Sequence, residues 1–201
     1  ASLRDRGVGA GGGASPASFS EVLHSKADGL AVLRMLCKKR LNDYVGLRHG
    51  SGVAYDRHGS TLYKAGSLGH WHGSGTKYYD GGSTWYEGHF EEGEAHGNGI
   101  EYAPDGSKAY EGQFERGQWH GRGIIFHKEG SKCFEGQFKK GVANGNGNVY
   151  DRDGSKLYEG RVKKDKWHGN GIAYYKEGGK RHEGQFEKGV PHGSGIAYYE
   201  G

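Results

Sequence analysis

The sequence predicts an all-β fold: an elongated, twisted, single-layer antiparallel sheet of tandem β-hairpins, with a short helical segment on its N-terminal side. Three observations predict it. A glycine-rich tetrad recurs in fixed register, a five-residue strand pattern keeps step with it, and the composition is too poor in aliphatic residues for an ordinary two-layer core.

The tetrad His-Gly-x-Gly begins at His49, His72, His96, His120, His168 and His192, with Asn144 standing once in place of His. The first step is 23 residues and every later one is 24. In step with it run Tyr86-Glu-Gly-His-Phe90, Tyr110-Glu-Gly-Gln-Phe114, Phe134-Glu-Gly-Gln-Phe138, Tyr158-Glu-Gly-Arg-Val162 and His182-Glu-Gly-Gln-Phe186. Asp-Gly-Ser or a relative closes successive units at Asp105, Glu129, Asp153 and Glu177.

Within the five-residue motif, aromatic, Gly and aromatic residues stand at i, i+2 and i+4, the period of a strand with one apolar face. Past each tetrad the third residue is aromatic (Tyr55, Tyr78, Tyr102, Phe126, Tyr150, Tyr174, Tyr198), and Ile100, Ile124, Ile172 and Ile196 stand two before it. Each unit therefore reads as two strands joined by a Gly-containing loop, and each Asp-Gly-Ser stretch turns the chain into the next unit. The glycine at the centre of the first strand leaves a flat gap on which a ring from a neighbouring hairpin is expected to lie. Stability then comes from contacts between consecutive units rather than from a second layer.

Composition bounds the function classes. Hydrophobic residues make up 33% of the 201-residue chain and 41 residues are glycine, yet 14 Tyr, 7 Phe and 4 Trp argue against disorder. No apolar run approaches the ~18 residues of a spanning helix. Two cysteines, Cys37 and Cys133, are too few for a disulfide framework, which points to an intracellular, reducing compartment. The start at Ala1 suggests a processed or partial chain, so a cytoplasmic, cytoskeletal, membrane-peripheral or organellar location stays open. A net charge of +4 gives no case for nucleic acid.

Residues 1–17, rich in Gly, Ala and Ser, read as a flexible tail. Residues 18–43 read as an amphipathic helical segment: Ser18 to Glu21 fits a capping box, and Val22, Leu23, Ala27, Leu30, Leu33 and Leu36 follow at roughly helical spacing. It either caps the first edge strand or docks on a partner or a membrane. Residues 44–201 form the repeat array, about six hairpin units plus a partial one.

These motifs resemble the MORN (membrane occupation and recognition nexus) repeat, whose pattern is Tyr-Glu-Gly-x-Trp/Phe, Gly, His-Gly-x-Gly, then Asp-Gly; the period of 24 is one longer than the usual unit. The unit at Tyr63 departs furthest, with Gly66 and Leu68 standing for the Gly and Phe. The resemblance implies a non-catalytic array that mediates protein association, including self-association, in cytoskeletal and membrane-proximal assemblies.

Candidate sites follow from departures within the repeat. No nucleophile is paired with a base, no glycine tetrad is followed by the Lys-Ser/Thr of a phosphate-binding loop, and no cofactor is implied. Histidines on alternate strands lie roughly 10 Å apart, too far for two imidazoles on one zinc at about 2.0 Å each, so no metal is expected either. The residue before each tetrad alternates between large and small: Trp71, Ala95, Trp119, Ala143, Trp167, Pro191. Trp71, Trp119 and Trp167 are therefore candidate partner-binding anchors, the alternative being indoles folded over their own loops and the smaller neighbouring residue. Lys139, Lys140, Arg161, Lys163, Lys164 and Lys166 are candidates for anionic lipid or an acidic partner, the alternative being solvated loops. Cys133, in a slot held elsewhere by Trp85, Ala109 and Leu157, reads as a packing residue.

The expected function is a scaffold or assembly subunit that contacts other proteins along one face, or associates with itself through a sheet edge. The alternatives are a peripheral module on an anionic membrane and a peripheral subunit of an organellar membrane complex.

Overall fold

The computed structural model describes residues 52–55, 61–65 and 71–199; the predicted tail (1–17) and helical segment (18–43) lie outside them. Every described element is a strand: β1 (Gly52–Tyr55), β2 (Thr61–Ala65), β3 (Gly73–Tyr78), β4 (Thr84–Glu91), β5 (Glu94–Tyr102), β6 (Lys108–Glu115), β7 (Gln118–Phe126), β8 (Lys132–Lys139), β9 (Val142–Tyr150), β10 (Lys156–Lys163), β11 (Lys166–Tyr174), β12 (Lys180–Glu187) and β13 (Val190–Ala197). They form one open antiparallel sheet of 13 strands in sequence order, the meander that the repeat predicts.

Two turn types alternate along it. Within each of the five hairpins from β4 to β13 the loop has two residues, and both take the left-handed conformation: Glu92 (φ 51°) and Gly93 (86°), Arg116 (50°) and Gly117 (66°), Lys140 (52°) and Gly141 (76°), Lys164 (51°) and Asp165 (63°), Lys188 (52°) and Gly189 (94°). That is a type I′ turn, whose twist matches the flanking strands. Between hairpins, Gly106 donates its N–H to the Ala103 carbonyl (2.9 Å) and Ala103 to the Ser107 carbonyl (2.8 Å), with Gly106 left-handed at φ 84°. Asp105 fastens this turn by accepting from the Ser107 hydroxyl (2.6 Å) and N–H (3.1 Å), and Asp153 does the same for Ser155.

A column of small residues crosses the sheet. Gly52 pairs with Ala65, Ala65 with Gly75, Gly75 with Gly88, Gly88 with Gly99 and Gly99 with Gly112, and the column continues through Gly123, Gly136, Gly147, Gly160 and Gly171 to Gly184 and Gly195. In the divergent unit the register places Ala65, not Gly66, in this column.

The rings do lie on these glycines, but their origin differs from the expectation. Each comes from the same hairpin, two residues earlier on the same strand: Tyr86 covers Gly88 and Gly99, Tyr110 covers Gly112 and Gly123, Phe134 covers Gly136 and Gly147, and Tyr158 covers Gly160 and Gly171. The reason is the two-residue period. Tyr86 and Gly88 share a face, and a ring leaning along the strand reaches the missing side chain directly, where its hydroxyl donates to the His89 carbonyl (3.0 Å).

Neighbouring hairpins are joined by other contacts. Phe114 meets Tyr86 edge-to-face (4.9 Å), Phe138 meets Tyr110 (5.2 Å), and Phe186 meets Tyr158 (5.2 Å). Each type I′ turn also donates an N–H to the preceding unit, as from Gly117 to the Ala95 carbonyl (2.9 Å) and from Gly141 to the Trp119 carbonyl (2.9 Å). At the opposite rim, Lys128 reaches Asp105 (3.0 Å) and Lys176 reaches Asp153 (3.4 Å).

The face assignment past the tetrad also differs from the expectation. The second residue of the tetrad is left-handed (Gly97 at φ 64°, Gly121 at 56°, Gly169 at 62°), and the register with the first strand slips there. The bulge sends Glu101, Ile125 and Ala173, one residue before the aromatic, into the packed face. Ile100, Ile124 and Ile172 fall on the other side, paired with Glu87, Glu111 and Glu159.

Candidate functional site

The packed face takes up the tryptophans. Trp119 is buried, stacked on Tyr110 at 4.5 Å and 8° and edge-on to Phe138 at 5.8 Å. Trp167 repeats this on Tyr158 (4.4 Å, 7°) and Phe186 (5.8 Å), with 2% of its surface exposed. Half-buried Trp71 meets Phe90 edge-on at 5.9 Å. In the next hairpin those phenylalanines pair with Ala95, Ala143 and Pro191, so the small residue makes room for the indole arriving from the previous unit. This corrects the anchoring reading for Trp119 and Trp167: an anchor must be reachable, and the alternation of large and small is a packing device. Cys133 is buried in the aromatic core, as a packing residue should be.

Two polar residues occupy the packed-face slot that later hairpins fill with Ile125 and Ala173. Glu101 is buried and accepts the Trp119 indole N–H at 2.8 Å. Lys77, at the equivalent place one hairpin earlier, holds its ammonium 4.7 Å from the Trp71 ring and 4.6 Å from the Trp85 ring. Burial pulls the Lys77 amine down to about 8, outweighing the two indole faces that favour its charge. Burial, with Glu101 adding repulsion, drives the Tyr86 and Tyr110 phenols far above their ordinary range.

The opposite face is uncovered. A shallow channel of 1070 Å³ runs across β6 to β12, with Gly112, Gly123 and their successors as its floor. One wall is a row in which Glu111, Ile124, Glu135, Asn148, Glu159 and Ile172 alternate across paired strands. Its carboxylates are tied down by Lys108–Glu111, Lys132–Glu135 and Lys156–Glu159 at 2.8 Å and Lys180–Glu183 at 2.7 Å. Those lysines hold the Glu159 and Glu183 carboxyls below their usual value. Lys–Glu pairs at one-hairpin pitch are legible in the repeat, but the bulge that gathers them with the isoleucines has no obvious sequence mark.

The hairpin-turn rim carries the tetrad imidazoles. His96 meets Glu91 (3.2 Å), His120 meets Glu115 (2.9 Å) and His192 meets Glu187 (3.5 Å), so these rings brace their own loops. No cluster of three or more metal-ligating side chains occurs among the described residues. At the two middle turns, lysine replaces that carboxylate, as Lys139 and Lys163. The six basic candidates are all exposed: Lys139 and Lys140 on one turn, Lys163, Lys164 and Lys166 on the next, and Arg161 on the strand leading into it. The two turns adjoin, since Asp165 donates its N–H to the Ala143 carbonyl (3.1 Å) and accepts the Ala143 N–H through its carboxylate (2.8 Å).

A sequential open sheet of hairpins coupled only to their neighbours defines a tandem-repeat protein. The sequence profile of the MORN repeat matches residues 86–108, 110–131, 134–156, 158–180 and 182–200, and the chain belongs to the MORN repeat family. No curated protein sequence gives a significant match. The MORN repeat is a non-enzymatic module associated with protein–protein or membrane interactions.

Proposed function

We propose that this chain is a non-catalytic scaffold, a subunit of a larger assembly that docks another protein along its open face. The supporting observation is the glycine-floored channel with its Glu and Ile wall, repeated at the hairpin pitch and left uncovered by any described residue. Half-exposed isoleucines between neutralised carboxylates form an amphipathic strip, which suits a partner with both apolar and polar contacts. Cross-linking with mass-spectrometric mapping on the native assembly tests this. Cross-links from the partner should cluster on the Lys108, Lys132, Lys156 and Lys180 row, and the double variant Ile124→Lys, Ile172→Lys should release the partner. Retention by that variant with cross-links elsewhere would refute docking on this face.

A second reading rests on the basic turns: a peripheral module on an anionic membrane, including the surface of an organellar complex. Co-sedimentation with anionic and neutral vesicles tests it, and binding abolished by Lys139, Lys140, Lys163 and Lys164→Glu would favour it. Self-association through β13 is a further form of the scaffold reading. Its strand presents Val190 and Ile196 to solvent, and sedimentation against concentration reads it. A reducing intracellular compartment fits a buried Cys133 that forms no disulfide.

A further inference from the structure

Two sets of basic side chains contrast with one another. Lys108, Lys128, Lys132, Lys156, Lys176 and Lys180 each hold a carboxylate within 3.4 Å. Lys139, Lys140, Lys163, Lys164, Lys166 and Arg161 have no ion pair among the described residues, and all six are exposed. They gather where the turn pattern changes, because Lys139 and Lys163 occupy the place from which Glu91, Glu115 and Glu187 reach the tetrad imidazole. The change leaves Asn144 and His168 without that carboxylate and concentrates positive charge on two adjoining turns.

The rest of the rim identifies the partner's shape. The turn of β4 and β5 exposes Glu91, Glu92 and Glu94; Glu115 lies beside Arg116, and Glu187 lies 4.0 Å from Lys188. Hairpins repeat at about 10 Å, so the acidic turn lies roughly 20 Å from the nearer basic one, beyond the ~8 Å screening length at physiological salt. A narrow anion can occupy the basic turns without feeling those glutamates. A bilayer broad enough to reach the first turn as well would meet its three carboxylates, which oppose an anionic surface.

On the scaffold reading, we propose that the two middle turns are a docking site for an extended acidic segment of a partner protein, gripped by Lys139 and Lys140 on one turn and Lys163, Lys164 and Lys166 on the next. A segment in polyproline-II conformation has three residues per turn and rises about 3.1 Å per residue, so acidic residues three apart share one face at about 9 Å and match the pitch of the turns. Arg161, on β10 beside the open channel, guides the segment from the rim toward that face. The grip is electrostatic and weakens with salt.

The experiment uses the full chain and a fluorescent synthetic peptide with glutamate at every third residue, read by anisotropy against the same peptide with glutamine. The expected result is binding of the glutamate peptide alone, weakened about tenfold or more by Lys139, Lys140, Lys163 and Lys164→Glu. A control variant, Lys128→Glu with Lys176→Glu on the opposite rim, should bind as the parent does. Circular dichroism and tryptophan emission establish that both variants keep the fold. Three results would overturn the proposal: no peptide binding, equal loss in the control variant, or binding to anionic vesicles at about 0.15 M salt without peptide binding. The scaffold reading is scored separately by the Ile124 and Ile172 variant, so a partner released by that variant while the peptide is ignored removes only the acidic site.

Discussion

Glu101 on β5 and Trp119 on β7 meet across the packed face, the indole N–H donating to the carboxylate at 2.8 Å although the whole of β6 lies between their strands. Two successive units are thereby joined by a polar bond inside an aromatic stack, at a place where later units have Ile125 and Ala173. Losing a buried partner of this kind costs about 1–3 kcal/mol, so Glu101→Ala should lower unfolding stability by that amount while Glu101→Gln, still an acceptor, loses less. Both variants should lower the pH at which Tyr110 ionises, because they remove the negative charge that opposes it. Denaturant melts and ultraviolet titration check the two effects.

The glycine column is expected to be intolerant at the positions covered by rings. A Cβ on Gly123 would lie within 2.5 Å of the Tyr110 ring, whereas one on Gly130 would meet nothing within 4 Å. Gly123→Ala should cost about 1–3 kcal/mol through overpacking, and Gly130→Ala only about 1 kcal/mol, from its left-handed φ of 90°. Comparable midpoints for the two variants would refute ring-on-glycine packing as the basis of the column.

The type I′ turns leave stability unclaimed at their first position. Glu92 sits at φ 51°, a conformation that asparagine tolerates better, and Glu92→Asn should raise stability by about 0.5–1 kcal/mol. Asp165→Ala should do the opposite by about 1–2 kcal/mol: it keeps a non-glycine residue at φ 63° and removes the carboxylate that accepts the Ala143 N–H. Thermal melts of the two variants should move in opposite directions.

Lys77 predicts a pH dependence of definite sign. Its amine falls from 10.5 to about 8 on folding, so between those values the unfolded chain binds the extra proton, and this contribution to stability rises with pH. Below about pH 8 the full penalty of the buried ammonium is present. Lys77→Met should therefore be more stable than the parent near neutrality by roughly 1–3 kcal/mol, with the gap narrowing as pH climbs toward 10. Above that, both proteins should weaken, because the buried Tyr158 phenol, raised to about 12, stays protonated folded and ionises unfolded. A gap unchanged from pH 7 to 10 would show that burial does not shift this amine.

Much of the fold was legible because the repeat writes each hairpin in the same register: strand pairing, the two kinds of turn, the glycine column and the packing role of Cys133 all follow from spacing. What escaped is local geometry. A left-handed Gly97 or Gly121 inside a strand exchanges the faces of everything after it, and the motif that signals the strand does not announce the slip. Burial of Trp119 and Trp167 required knowing that Tyr110 and Tyr158 lie flat on their own glycines, offering a surface on which an indole can stack. The basic turns were visible as charge, but their lack of ion pairs emerged only beside the Lys–Glu pairs of the open face.

The glycine column gives the molecule a graduated length. Each hairpin adds two strand widths, about 10 Å, with nearly the same cross-section and the same bare line of backbone on its open side. Adding or deleting one unit would change the reach of the sheet by that increment and move the basic turns relative to whatever grips the ends. Read this way the protein is a ruler: its marks are hairpins, and its substitutions at Lys139 and Lys163 label one place along the scale.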